Sequence, residues 1–336
     1  MTEKKQTILS GIRATGKLHI GNYLGALKQF VDLQNGKGNL SAEASAKADC
    51  FFFIADLHAL TTPFEAKELS QNTLEVAADY LAAGIDPKKS TFFLQSQVLE
   101  HAELGWIFNC LTPLGELNRM TQFKEKSEEQ KGQISGGLLT YPTLMAADIL
   151  IYKPTAVPVG EDQTQHVELA RDTARKFNNR FGQTFPEPKT YLRKPLRVMS
   201  LTDPTKKMSK SGDEALMLDD PPAEILRKLK KAPTATDATK ESPGVKNLFL
   251  LLEHFGSEEQ ITEYSHEQKN NTIKYSELKE ALAKAIAEHF AEFRDQKQEL
   301  LANPKTIMDA LEQGATKARK IASQTLAEVK EKVGLL

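Results

Sequence analysis

Thr15-Gly-Lys-Leu-His-Ile-Gly-Asn22 sets two glycines, a lysine and a histidine between a β-branched run, Thr7-Ile8-Leu9, and an amphipathic segment, Tyr23–Leu33. That order reads strand, glycine turn, helix. Gly16 and Gly21 let the backbone approach a ligand closely. The following helix start offers free N–H groups and a positive dipole end, and His19 adds a side-chain donor, so a polyanion is the natural guest. Far downstream, Lys206-Lys-Met-Ser-Lys-Ser-Gly-Asp213 gathers lysines and serines in a short loop after Asp203-Pro204. Between the two lies Leu138–Tyr152, a largely apolar run whose one charge is Asp148. A buried, unpaired carboxylate is costly. Either a cap or an arginine satisfies Asp148, or it waits for a ligand's donor. Tyr141 and Met145 fall on its helical face.

The elements that must carry these residues follow from the pattern. Cys50-Phe-Phe-Phe-Ile-Ala55 is a fully apolar run, the mark of a strand buried on both faces. It ends at Asp56 and His58. A helix over about 66–84, a strand Ser90–Gln95, a helix His101–Leu117 and a short strand Ala156–Val159 come next. The last opens into Gly160-Glu161-Asp162-Gln163 and a helix, Val167–Phe177. Strands alternating with helices predict an α/β fold with a doubly wound parallel sheet, whose ligands gather at the carboxyl ends of the strands. Pro142 suits the first turn of the Asp148 helix. Thr121–Gly137, charged and then glycine-rich, reads as a solvated loop, with a lid or an oligomer contact as the alternative.

The turn itself admits three readings. Gly11-Ile-Arg-Ala-Thr-Gly16-Lys17 fits the spacing of a P-loop, but Leu18 stands where a magnesium-binding hydroxyl is needed. His19-Ile-Gly-Asn22 resembles the His-Ile-Gly-His turn of class I nucleotidyl transferases. An ordinary glycine turn is the third reading.

The net charge of −1 argues against a protein that coats nucleic acid, although a local basic patch suffices for phosphate contacts. Cys50 and Cys110 are the only cysteines. They build no cysteine-rich metal site and suggest a reducing cytoplasm. The polar start, Met1–Gln6, reads as lacking a secretory leader, and no run approaches the ~18 apolar residues of a membrane helix.

Lys207-Met-Ser-Lys-Ser211, taken with the His19 turn, resembles the bacterial tryptophanyl-tRNA synthetases of class I. Arg119–Lys126, Gly137–Pro142, Leu144–Leu150 and Val157–Gln163 carry the same resemblance. It is dense over the first two thirds and thin beyond. It implies a Rossmann-type catalytic domain over residues 1–218 and a helical anticodon-binding region over 219–336, whose last helix packs back on the first domain. It also implies a two-step ligation that joins L-tryptophan to tRNA(Trp) through an adenylate. The catalytic residues would be His19, Lys207 and Lys210. ATP would meet Arg13, Ala14, Thr15, Gly21, Asn22, Gly160, Glu161, Asp162, Val198, Met208, Ser209 and Ser211. Tryptophan would meet Asp148 at its indole N–H, with Met145, Val157 and Val159 as apolar wall and Tyr141 and Gln163 at the α-amino group. His58 stands near, as a pocket residue or a plain core histidine. Magnesium would travel with ATP, and no structural metal is expected. A homodimer is implied.

Two residues depart from the family pattern. Arg13-Ala14 replaces a common Gln-Pro, and Leu9 stands where an aromatic residue often lines the indole. The C-terminal third predicts helices at Ile225–Lys231, Val245–Phe255, Leu278–Phe293, Ile307–Leu311 and Ala315–Val333, with Lys228, Lys230 and Lys231 as candidate phosphate contacts. A tyrosyl-tRNA synthetase and a non-catalytic synthetase-like paralogue remain the alternatives.

Overall fold

Alternate side chains of the apolar run at Cys50 go to opposite sides of a sheet, as the period of a strand requires. Phe52 and Ile54 join one core with Ile8, Phe30, Tyr80 and Phe92. Phe51, Phe53 and Ala55 join the other with Leu9, Phe93, Phe108, Val157 and Phe177. This is seen in a computed structural model that describes residues 6–14, 16–37, 48–130, 134–192, 196–209, 212–234 and 242–335. Thr15, Lys210, Ser211 and most of the 34–49 excursion lie outside the described residues.

Among the described residues the sheet has five strands: β1 (Thr7–Arg13), β2 (Asp49–Ala55), β3 (Thr91–Leu94), β4 (Ala156–Val159) and β5 (Lys189–Leu192). All pair in parallel, in the order β3-β2-β1-β4-β5. The chain leaves β1 toward β2 and β3, then returns to the other side of β1 for β4, so the order reverses between β1 and β4. Ligand crevices open at such switch points. The ladder between these two strands is short. The recorded β1–β4 pairing is Ile8 with Ala156. Two residues on, Pro158 has no N–H for the ladder, and the Ser10 hydroxyl donates to its carbonyl instead, at 3.1 Å.

Several local expectations change. β1 continues to Arg13, four residues past the Thr7–Leu9 run from which the strand was read. Thr121–Glu129 is a helix where a solvated loop was expected, because Lys124, Glu125 and Glu128 occupy the exposed face of a helix that rests on Gly136–Leu150. The helix Gly136–Leu150 is capped by the Ser135 hydroxyl accepting from Leu138 N–H, which places Pro142 inside it and not in the first turn. Strand β5 and a helix Glu258–Lys269, which buries no residue, carried too little apolar pattern to be read. Leu278–Phe293 is two helices that meet at Phe290, and the last two predicted segments form one helix, Pro304–Val333. That helix lies on β3, with Ala315, Ala318 and Ala322 in the second core.

The lysines read as phosphate contacts are paired with carboxylates. Lys228 is 5% exposed and meets Asp220 at 2.6 Å, which removes it as a surface contact. Lys230 meets Glu280 and Lys231 meets Asp213.

Candidate active site

A cavity of about 440 Å³ opens at the carboxyl ends of β1 and β4. β1 contributes Leu9 to Arg13 and β4 contributes Val157, Pro158 and Val159, followed by Gly160. All seven residues expected at an amino acid line it: His58, Tyr141, Met145, Asp148, Val157, Val159 and Gln163. Arg13, Asn22 and Gly160 from the expected nucleotide set line it too.

Asp148, 1% exposed, is not an unpaired carboxylate. Neither a cap nor an arginine satisfies it. Oδ1 accepts from Gln95 Nε2 at 2.7 Å and from His101 Nδ1 at 2.6 Å, and Oδ2 accepts from His58 Nε2 at 2.8 Å. Burial alone would raise this carboxyl, but the hydrogen bonds from His101 and His58 and their electrostatic pull outweigh it and bring it down to about 2. A carboxylate offers about four acceptor positions. Three are used, which leaves Oδ2 one direction for a ligand donor. His58 is therefore both things at once: a buried, bonded histidine and a residue of the cavity wall.

The other end of the cavity presents acceptors. The Tyr141 hydroxyl lies 2.9 Å from His166 Nε2 and donates to Gln122 Oε1 at 3.4 Å. Burial pushes the Tyr141 phenol up to about 12 and His166 down to about 4, so both are neutral near pH 7. Gln163 turns its amide nitrogen to Asp162 at 2.9 Å, which leaves its carbonyl oxygen for an ammonium. Lys126, from the helix that replaced the expected loop, reaches the same wall with its Nζ 5.6 Å from the Tyr141 ring centre.

The glycine turn meets the segment just after the lysine–serine loop, although nearly two hundred residues separate them. Ile20 N–H donates to Leu216 O, Leu218 N–H donates to Leu18 O, and His19 bridges Met217. Gly16 takes φ +84°, which a side chain would resist. Met208 N–H donates to Val198 O, and both side chains are buried, with Val198 beside Gly21. Lys207 and Ser209 are exposed, and Ser209 donates to Glu214 at 2.6 Å. Asn22 accepts the His19 N–H at 3.1 Å, leaving its amide nitrogen for a ligand. Ala14, by contrast, is buried in the first core. Glu161 and Asp162 stand on the rim, outside the cavity lining.

The family model for the class I tRNA synthetases (W and Y) matches residues 1–303. The chain belongs to that family. A tryptophan–tRNA ligase of Caldanaerobacter subterraneus subsp. tengcongensis is 46% identical over 340 residues, 98% of each chain. One from Listeria monocytogenes serovar 1/2a is 43% identical over 342 residues, again 98% of each. Among solved structures, the tryptophanyl-tRNA synthetase of Campylobacter jejuni complexed with ADP and tryptophan aligns with a TM-score of 0.86. Its identity is 38% over 98% of this chain and 99% of that one. A tyrosyl-tRNA synthetase from Archaeoglobus fulgidus, at 19% identity and a TM-score of 0.68, shares the fold. As a class I synthetase the chain is an aminoacyl-tRNA ligase.

Sequence reasoning missed six residues at or behind the cavity wall: Gln122 and Lys126, which line it, and Gln95, His101, Tyr152 and His166, which bond to Asp148, to His101 or to Tyr141. Gln95 and His101 carried one usable signal, a polar side chain at the edge of an apolar run. Gln122 and Lys126 lay inside a segment already quoted for the family resemblance.

Proposed function

We infer that the chain ligates L-tryptophan to tRNA(Trp) at the expense of ATP. The observation that carries this is Asp148, a buried carboxylate with one acceptor direction left, at the wall of a cavity lined by Met145, Val157 and Val159. A flat ring with an N–H satisfies that acceptor. Tyrosine and phenylalanine leave it unpaired, at about 1–3 kcal/mol. The curated relatives, named tryptophan–tRNA ligases, point the same way.

In the first step the tryptophan carboxylate attacks the α-phosphate of ATP and pyrophosphate leaves. Such transfers are carried by positioning and by charge stabilisation. Tyr141 and the Gln163 carbonyl hold the α-ammonium. Arg13 and Lys126 face the carboxylate and the phosphates as positive charges. His19, Lys207 and Lys210 donate to the phosphates as charge builds on the leaving group. Gly21, Asn22, Val198 and Met208 frame the adenine, and Gly160, Glu161 and Asp162 the ribose. Magnesium enters as part of the ATP complex. In the second step the adenylate acylates the 2′-hydroxyl of the terminal adenosine.

Residues 1–218 form the catalytic unit in this reading, and the helices beyond 219 read the anticodon. The chain works in the cytoplasm as a homodimer. Leu99, Trp106 and Leu114, 76%, 68% and 61% exposed, support a second copy docking at the helix Glu100–Leu111. Light scattering at micromolar concentration should give twice the chain mass; a monomer would contradict the pairing.

The deciding experiment is amino-acid-dependent ATP–pyrophosphate exchange. Exchange should rise with tryptophan and not with tyrosine. Background exchange with both amino acids would overturn the reading, and exchange with tyrosine alone would favour the tyrosyl alternative.

A further inference from the structure

We propose that His101 and Tyr152 are specificity-determining positioning residues: together they keep Asp148 an acceptor aimed into the cavity, so that the enzyme selects a ring bearing an N–H. The proposal rests on the reading that Asp148 meets the indole nitrogen.

The argument is proton bookkeeping along a buried chain. His101 is fully buried and lies 2.6 Å through Nδ1 from Asp148 Oδ1 and 2.7 Å through Nε2 from the Tyr152 hydroxyl. A neutral imidazole carries one N–H and one lone pair. The ionised Asp148 has no proton to give, so Nδ1 must donate to it. Nε2 is then the lone pair, and Tyr152 O–H donates to it. Gln95 fills the second acceptor position of Oδ1, which leaves Oδ2, bonded to His58, as the oxygen that can face a ligand.

The surroundings enforce this order. The rings of Phe53 and Phe93 lie 6.0 and 6.1 Å from His101, and Phe51 stacks on Tyr152 at 4.9 Å. Among the described residues the Tyr152 hydroxyl is the one hydrogen-bond partner of His101 Nε2. Without it the Nε2 lone pair is stranded and the ring loses the bond that fixes its orientation. Nδ1–H is then held less firmly on Oδ1, and Asp148 is freer to turn from the cavity or to take up a proton. An Asp148 that turns away, or that carries a proton beside the ring N–H, loses its preference for tryptophan. Tyr152 touches no substrate in this scheme. It acts through His101, and His101 acts through Asp148.

The test uses the full chain and pyrophosphate exchange with two amino acids: tryptophan and 3-benzothienylalanine, in which sulfur replaces the ring N–H. The readout is the ratio of their kcat/KM values. Tyr152→Phe and His101→Leu should each lower that ratio about tenfold, the size of one lost buried hydrogen bond. The loss should fall on KM for tryptophan while KM for ATP stays constant. His101→Asn, whose amide can still donate to Asp148, should recover most of the ratio. Wild-type ratios in Tyr152→Phe and His101→Leu, or equal losses for both amino acids, would overturn the proposal. Asp148→Ala separates the underlying reading. If that variant, too, keeps the wild-type ratio, Asp148 does not meet the ring, and the reading fails before the positioning of His101 is reached.

Discussion

Arg13 ends β1 with its guanidinium half anchored. Nη2 donates to the His58 carbonyl at 3.1 Å and to the Thr62 hydroxyl at 3.3 Å, while the buried Nε has no hydrogen-bond partner. A cation held this way at a cavity wall favours an anionic guest. Arg13→Gln should raise KM for tryptophan or ATP by about 10- to 100-fold, the worth of a hydrogen bond to a charged group, and leave the reaction itself intact. Pyrophosphate exchange decides it, and an unchanged dependence on both substrates would remove Arg13 from the site. Asp148 makes a second prediction at this scale. Its carboxyl is held at about 2 in the folded chain, below the ~3.9 of an unfolded aspartate. Its contribution to stability is therefore complete above about pH 4 and lost as pH falls toward 2. Denaturation of Asp148→Asn should show a shallower loss of stability across that window than the wild type.

Between elements, the joint under the glycine turn matters most. Asp79, on the helix Ala66–Ala82, accepts the Leu18 N–H and meets Lys297 of the helix Ala291–Ala302 at 2.7 Å. Lys297 also meets Asp219 at 3.0 Å, and Asp219 meets Lys17 of the turn at 3.0 Å. The cluster ties the glycine turn to the C-terminal helices. Burial pushes the Asp79 carboxyl up to about 6 against the pull of Lys297. The sign is opposite to that of Asp148. The folded state binds a proton that the unfolded chain releases near pH 4, so stability falls as pH rises from about 4 to 6. Asp79→Asn lacks that slope. Relative to the wild type it should gain up to ~3 kcal/mol between pH 4 and pH 7, at 1.36 kcal/mol per pKa unit. Melting curves at the two pH values measure it, and a constant gap between the two proteins would mean that Lys297 compensates Asp79 fully.

At the scale of the molecule, the last helix returns to the first fold. β3 is an edge strand, and Pro304–Val333 lies against it. The contact is backbone to backbone: a Cβ at Gly314 would stand 1.7 Å from the Phe92 carbonyl oxygen. Arg319 Nε donates to the Gln97 carbonyl at 3.0 Å beside it. Gly314→Ala must push the helix off the strand and should cost at least ~1–3 kcal/mol, the range for overpacked cores. Urea denaturation reads it, and a stability equal to the wild type would mean that the helix is free to shift.

The sequence by itself determined what short-range pattern can encode. The apolar run at Cys50, the alternation of strands with helices and the two motif segments were legible because periodicity and motif spacing are local properties. The residues of the cavity followed in large part, since Tyr141, Met145 and Asp148 share one helical face and Val157 and Val159 one face of a strand. Only the tertiary structure decided what Asp148 is bonded to. Gln95, His101 and His58 come from three other segments, 53, 47 and 90 residues away, and no local pattern says that their donors converge. The same reason hid the burial of Lys228 against Asp220 and the return of the last helix to β3. Which polar groups leave water together depends on how the elements pack, and packing was settled by the apolar faces of the whole chain.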